Sequence, residues 1–480
     1  MRLRNRAALG VAPVVLATAL LGGPPSSTIA RANEHPAAAR VADQGAPNIL
    51  IIVTDDQRDG LQVMPATRRY FKDAGVKFEN AFVTTPLCCP SRATIFTGRY
   101  AHNHGVHTEA DASKLDQQTT LQYYLQQAGY ETAMFGKYLN SWSRAQPPPY
   151  FDRWAFFKKS GPSYKNGRWN VDGTITTIDR YSTRYIAQKA TDFLTATDAV
   201  QPATPWFMYL ATSAPHRPFT AQRKYRHAGV PRWRPDPSVF EHDRTDKPDY
   251  VQTQYSTPQT GRLIRKKQFR TLMSVDDLVS NVFKTMNRTG DASNTLAFLI
   301  SDNGFLWGEH GLTRKTTPYT PSIQVPMLMR WPGHVPSGAG DDRLVANVDI
   351  APTVMAATGL TPSNAAMDGR SLLDAAQVRS RLLTEYYSDQ TIVKPGRFPT
   401  PSWASTRTKD YQYVEYYGSD GMTPTLEEYY DLRTDPYELD NLLGDADTTN
   451  DPDQATLAQL REQLTLDRMC TGTSGADPCP

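Results

Sequence analysis

The chain is constrained most by an alternation of short apolar runs with amphipathic stretches. Pro47 to Thr54 reads Pro-Asn-Ile-Leu-Ile-Ile-Val-Thr, a run with no polar face, as expected of a strand buried on both sides. Similar runs recur at Glu131 to Phe135, Trp206 to Ala211, Thr295 to Ile300 and Val325 to Met329. Between them Thr119 to Ala128, Tyr181 to Ala196, Ile264 to Met286 and Val348 to Ala357 carry helical patterns. Strand and helix in alternation predict an α/β class: a sheet covered by helices on both faces, with chemistry beyond the carboxyl ends of the strands. From Arg381 onward the texture changes to Tyr-rich strands, at Trp403 to Tyr417 and Glu427 to Leu432, and then a helix from Gln454 to Leu466. The expected division is therefore a main domain over 47–380 and a smaller α+β subdomain over 381–480. With 480 residues, 39% of them hydrophobic, the chain can bury cores for both. Arg234 to Gly261 is polar, proline-rich and too long for an ordinary connection; it reads as a substrate-facing insertion or a mobile loop.

Ahead of the first strand, Met-Arg-Leu-Arg-Asn-Arg, an apolar run from Ala7 to Gly23 and the small-residue site Ala30-Arg31-Ala32 have the three-part pattern of a secretory signal peptide. Residues 1–32 are expected to be removed, and 33–46 to be a flexible lead-in. The apolar run is short, carries Pro13 and ends in Gly-Gly-Pro-Pro, so no stable membrane span is expected. The formal charge of +3 falls to about −1 once Arg2, Arg4, Arg6 and Arg31 leave, which gives no reason to expect a nucleic-acid partner. In an exported chain Cys470 and Cys479 read as a disulfide closing a small loop. Cys88 and Cys89 are adjacent, a geometry that rarely bridges, and need another explanation.

Candidate chemistry lies at the predicted strand ends. Thr54-Asp55-Asp56-Gln57 closes the first strand and Ser301-Asp302-Asn303-Gly304 a later one. Asp55, Asp56, Asp302 and Asn303 are hard oxygen donors suited to Ca²⁺ or Mg²⁺ and poorly suited to zinc. Either segment alone is more often a turn or a cap; two at comparable strand ends raise the functional reading. Between them stands Cys88-Cys89-Pro90-Ser91-Arg92-Ala93-Thr94-Ile95-Phe96-Thr97-Gly98-Arg99, then Tyr100-Ala101-His102-Asn103-His104-Gly105.

This long motif resembles the signature of type I sulfatases, in which the Cys of Cys-x-Pro-Ser-Arg is oxidised to formylglycine by a formylglycine-generating enzyme. Gly136-Lys137-Tyr138-Leu139-Asn140, Pro215-His216-Arg217-Pro218 and Gly311-Leu312-Thr313-Arg314-Lys315 match the same family. The combination is most similar to N-acetylglucosamine-6-sulfatases and extracellular heparan endosulfatases. The resemblance implies an alkaline-phosphatase-like fold with a large mixed sheet between helices. It implies sulfate-ester hydrolysis with Cys88 converted to formylglycine as nucleophile and metal ligand. A divalent metal, Ca²⁺ or Mg²⁺, would be held by Asp55, Asp56, Asp302 and Asn303. Arg92 would orient the hydrated aldehyde, Lys137, His216 and Lys315 would contact the sulfate, and His216 is the candidate acid for the leaving oxygen. Leu139 stands where many members carry a His, which leaves the base open among His102, His104 and His310. Two other readings are open on the same residues: a phosphonate monoester or phosphodiester hydrolase, or a non-catalytic binder of sulfated glycans if Cys88 stays a thiol.

Overall fold

The computed structural model describes residues 45–157, 164–200, 204–389, 399–475 and 478–480. The expected signal peptide and nearly all of the lead-in lie outside the described residues. The first strand, β1 (Asn48–Asp55), is the hub of a ten-stranded sheet. The others are β2 (Val76–Phe82), β3 (Glu131–Lys137), β4 (Arg153–Phe157), β5 (Gly167–Val171), β6 (Thr174–Ile178), β7 (Trp206–Pro215), β8 (Thr295–Ser301), β9 (Met327–Arg330) and β10 (Ala339–Ala346). Their order is β10-β2-β9-β8-β1-β7-β3-β4-β5-β6. The core strands β8, β1, β7, β3 and β4 run parallel, whereas β9 and the β5–β6 ribbon are antiparallel, so the sheet is mixed.

Period-two geometry divides β1 between two cores, which is why its run is apolar throughout. Ile49, Ile51 and Val53 pack on one face with Tyr209, Phe298 and the helix α1 (Cys88–Thr97). Leu50 and Ile52 pack on the other, against α4 (Ser182–Val200) and α5 (Pro258–Thr289), through Ile186, Leu278, Val282 and Phe283. Each such aliphatic side chain, removed from water, contributes about 2 kcal/mol. Between these helices in sequence come the single turn α2 (Ala101–His104) and α3 (Leu121–Gln127). α6 (Ile350–Thr358) follows the last strand of the sheet.

A second sheet of four antiparallel strands, β11 (Leu382–Tyr386), β12 (Ser402–Arg407), β13 (Tyr411–Tyr417) and β14 (Pro424–Asp431), is joined by α7 (Gln454–Asp467). Adjacent residues again part company. Leu382, Trp403, Val414 and Tyr416 pack with Phe82, Leu344 and Tyr319 of the large-sheet side, and Leu383, Tyr413 and Tyr417 pack with Leu457 and Leu464 of α7. Between β7 of the large sheet and α5, the segment predicted as an insertion is irregular except for short turns at Pro237–Phe240 and Asp249–Gln252, and the helix after it begins at Pro258, earlier than the predicted Ile264. Among the described residues no helix is long and apolar enough to cross a membrane.

α2 is tied to the second sheet by a buried charge pair. His102 Nδ1 lies 3.0 Å from Glu385 Oε1 on β11, and its Nε2 lies 3.1 Å from the Cys470 carbonyl. Cys470 is bonded to Cys479, with their Cα atoms 4.9 Å apart. Burial would lower the imidazolium, but the Glu385 charge and hydrogen bond outweigh it and raise His102 from 6.5 to about 9. Burial would raise Glu385, but His102 holds it down from 4.5 to about 2. The His102 contribution is complete below its unfolded value and is lost as pH rises through the folded one. Urea unfolding between pH 6.5 and 9.5 is therefore expected to show wild type losing on the order of 2 kcal/mol that His102→Gln does not lose. Parallel pH profiles for the two proteins would refute the clamp.

Candidate functional site

Four neighbouring parallel strands, β8, β1, β7 and β3, end on the same edge of the sheet and deliver one cluster. β1 ends in Asp55 and the chain turns at Asp56, whose φ of 69° is left-handed. β8 runs into Asp302 and Asn303, β7 ends at Pro215 just before His216, and β3 ends in Lys137. Cross-links fix the two acidic turns: the Asp56 amide donates to Asp302 Oδ1 (3.2 Å), the Gln57 amide to Ser301 Oγ (2.8 Å), and Asn303 Nδ2 to Asp56 Oδ1 (2.8 Å).

Onto this edge α1 points its first turn. All ten residues of α1 are buried, and the chain reverses at Gly98 in the left-handed conformation. Cys88 Sγ lies 3.3 Å from Asp55 Oδ1. One turn later, Arg92 reaches beneath it: Nε donates to Asp302 Oδ2 at 2.9 Å, a second guanidinium nitrogen lies 2.8 Å from the same oxygen, and another donates to the Lys137 carbonyl at 2.9 Å. Lys137 Nζ donates to Asp55 Oδ2 at 2.7 Å. Lys315 Nζ, from the loop after β8, donates to Asp56 Oδ1 (2.6 Å) and Asn303 Oδ1 (3.1 Å) and lies 2.7 Å from Cys88 Sγ. Three carboxylates thus face three fixed cations inside the protein.

The charges tune one another. Burial would raise Asp55, but Lys137, then His216, Arg92 and Lys315, hold it well below the usual carboxylate range. Asp56 is held down against its burial chiefly by Lys315. Cys88 moves the other way: burial first, then Asp302 and Asp55, push its thiol well above the ordinary range, so it stays protonated at neutral pH. Only two side chains of the cluster reach solvent. Lys315 and His216 are each 14% exposed, whereas the carboxylates, Arg92 and Lys137 are at 2% or less. His216 Nδ1 is 2.8 Å from the Arg217 carbonyl and therefore carries a proton, which turns Nε2 toward Asp56 Oδ2, 3.7 Å away.

The structure brings Asp55, Asp56, Cys88, Arg92, Lys137, His216, Asp302, Asn303 and Lys315 together. It does not bring the three histidines considered as bases into this cluster. His102 is held by Glu385 and Cys470. His104 is buried against α1, its Nε2 3.1 Å from Thr94 Oγ1, and burial lowers it to about 3. His310 is paired with Glu241 at 2.9 Å. His102 and His104 leave the cluster because the Gly98 reversal carries α2 away from the first turn of α1, and His310 is drawn off by Glu241. Sequence reasoning missed Gln268 on α5, whose Nε2 donates to the Asp56 carbonyl (3.3 Å) and whose Oε1 accepts from Trp307 Nε1 (2.5 Å). A mid-helix glutamine 212 residues from its partner carries no sequence signal.

The oxygen donors Asp55, Asp56, Asp302 and Asn303, cross-linked at the two acidic turns, suit a hard divalent cation, and one ligand atom each from Asp55, Asp56, Cys88 and His216 fall within 4.8 Å of one another, the thiol and the imidazole being softer donors. A second such group, His102 with Cys470 and Cys479, has its sulfurs tied up in the disulfide.

Comparison with known proteins follows the same lines. The sulfatase family model matches residues 47–360, and the model described as N-sulphoglucosamine sulphohydrolase, C-terminal, matches 308–468. Human N-acetylglucosamine-6-sulfatase is 30% identical over 90% of this chain and 86% of that protein. The extracellular sulfatase SULF-1 homolog of Drosophila melanogaster is 31% identical over 74% of this chain, which spans 33% of that protein's length; a Caenorhabditis elegans relative of the same type is spanned to 53%. In fold, the chain is similar to a solved structure in complex with its substrate D-glucosamine-2-N,6-O-disulfate (TM-score 0.74, 22% identity, covering 88% of this chain and 97% of that one). It is also similar to the phosphonate monoester hydrolase of Agrobacterium radiobacter (TM-score 0.64, 20% identity, 88% and 96%). The large mixed sheet with its small antiparallel companion, and a family match over most of the described chain, place this protein in the sulfatase family of sulfuric ester hydrolases.

Proposed function

We propose that this protein hydrolyses the sulfate ester of a sulfated sugar, of the 6-O-sulfated N-acetylglucosamine type, with position 88 as nucleophile. The observation that carries the reading is the convergence of three carboxylates, Asn303, three cations and His216 on Cys88 at four adjacent strand ends. The thiol itself is unsuited to the task, being buried and held protonated, so the reading includes conversion of Cys88 to formylglycine by a generating enzyme. That group supplies two hydroxyls on one carbon, one to take the sulfuryl group from the sugar and one to release it as sulfate. A bound Ca²⁺ or Mg²⁺, held by Asp55, Asp56, Asp302 and Asn303 beside position 88, supplies Lewis acidity and two further positive charges.

The roles of the protein's own groups follow from charge and exposure. With the three carboxylates already matched by Arg92, Lys137 and Lys315, any added dication leaves the pocket positive, which favours an anionic ester. Lys315 and His216 form its solvent-facing side and meet the sulfate first. His216, with its Nδ1 proton held by the Arg217 carbonyl and Nε2 turned inward, is placed to protonate the departing sugar oxygen when it enters the cycle as the imidazolium, giving up the Nε2 proton, and Lys137 and Arg92 hold the acidic turns and position 88 in register. The N-terminal pattern, together with relatives named as extracellular sulfatases, supports export, and the disulfide suits an oxidising compartment.

Peptide mapping of the secreted protein is expected to find the Cys88 peptide lighter by the exchange of sulfur for oxygen with loss of two hydrogens. Turnover of 4-nitrocatechol sulfate and of N-acetylglucosamine 6-sulfate is expected to fall by about three orders of magnitude in Cys88→Ala. Faster turnover of a phosphonate monoester than of either sulfate would reassign the reaction, and an unmodified, inactive thiol would favour the glycan-binder reading. Dialysis against a chelator is expected to remove activity, with Ca²⁺ or Mg²⁺ restoring it. His216→Ala is expected to lower kcat roughly 10²-fold or more, with a smaller loss for substrates whose leaving group needs no proton. An equal loss for good and poor leaving groups would remove His216 from the acid role.

A further inference from the structure

The first half of α5 carries charge that the carboxylate cluster does not use. Pro258 to Val275 contains Arg262, Arg265, Lys266, Lys267 and Arg270 and no acidic residue. Arg262, Lys266 and Arg270 recur every fourth residue and so stack on one side of the helix, where like charges repel. The helix dipole offers no relief, since its positive end is the one they sit nearest.

Facing them is Pro231-Arg232-Trp233-Arg234-Pro235, part of the segment before α5. Two guanidiniums fasten this wall to the helix: Arg265 donates to the Pro231 carbonyl and Arg270 to the Ala228 carbonyl, each at 2.9 Å. Between wall and helix lies a groove of about 770 Å³, lined by Arg232, Trp233, Arg234, Phe240, Arg262 and Lys266 among others, with no carboxylate in its lining. Among the described residues none of the six groove cations, Arg265 and Arg270 included, is ion-paired, and Asp236, beside the wall, is taken by Arg58 at 3.5 Å.

The floor of the groove and the back of the cluster share one layer of side chains. Trp233 packs edge-on against Trp307 with centroids 6.4 Å apart, and Trp307 donates to Gln268, which holds the Asp56 carbonyl. Phe240 is 51% exposed at the rim, and with Trp233 it offers aromatic faces to ring-shaped groups.

We propose that this groove is an anion exosite that holds a strand of sulfated polysaccharide beside the hydrolytic cluster. The choice of a sulfated glycan over other polyanions rests on the sulfate-ester reading above. Four cations not used to fasten the wall, Arg232, Arg234, Arg262 and Lys266, supply affinity, two aromatic faces supply a seat for sugar rings, and the shared Gln268–Trp307 layer keeps the strand next to the site that would cut its esters.

The test uses the full secreted protein and a fluorescent, size-defined heparin oligosaccharide, titrated at several salt concentrations. Arg262→Glu combined with Lys266→Glu is expected to weaken binding about tenfold or more and to flatten its salt dependence. Turnover of 4-nitrocatechol sulfate should stay unchanged, and KM for a polymeric sulfated substrate should rise. Arg232→Ser with Arg234→Ser, on the opposite wall, is expected to act in the same direction and guards against a folding defect in the helix variant. Unchanged heparin affinity in both variants would overturn the exosite, as would tighter binding of single-stranded DNA of matched charge. A wild-type protein that binds heparin through these residues yet turns over no sulfate ester would overturn the hydrolase reading alone.

Discussion

The buried pairing of Asp55 and Asp302 with Arg92 and Lys137 is the interaction on which the rest depends. Charges removed from water cost several kcal/mol each unless matched closely, and here each carboxylate meets a cation within 3 Å. The match demands that three strand ends and one helix meet to within a fraction of an ångström. The apolar sheet supplies that precision: alternate residues of β1 lock into separate cores on its two faces, leaving its terminal aspartate no freedom to retreat. Chemistry at this edge is thus a by-product of how rigidly the centre is packed.

Much of this was legible from sequence. Strands buried on both faces announce themselves as unbroken apolar runs, and the acidic turns follow them directly, so β1, β7 and β8 and their site residues could be placed before any coordinates. The strands that went unread, β2, β10, β11 and β4 to β6, are short or half-exposed and mix polar with apolar residues. Their pairing is decided by neighbours distant in the chain rather than by their own pattern. Arg92 was expected to orient the group at position 88, and the folded chain shows in addition what holds it there, the Asp302 carboxylate and the Lys137 carbonyl. The histidines near the motif were legible as residues but not as positions, because a single left-handed glycine decides which way the chain leaves α1.

The segment between β7 and α5 illustrates the opposite case. Its polar, proline-rich sequence suggested a loop concerned with substrate, and the fold gives that suggestion a physical form: prolines stiffen a wall, guanidiniums from the helix anchor it, and the remaining cations are left facing a groove. Neither half is informative alone, since a basic helix is ordinarily a solvated face.

The burial of α1 also bears on timing. Cys88, Pro90, Ser91 and Arg92 are all fully enclosed, with the sheet edge on one side and Asn347 bonded to Ser91 on another. A protein-sized catalyst cannot grip a segment in that position. Any enzymatic change to the sulfur of Cys88 therefore belongs to the interval when the chain is still extended, before the aspartates and lysines close over it. On the hydrolase reading proposed above, a chain that folds before Cys88 is converted keeps its thiol.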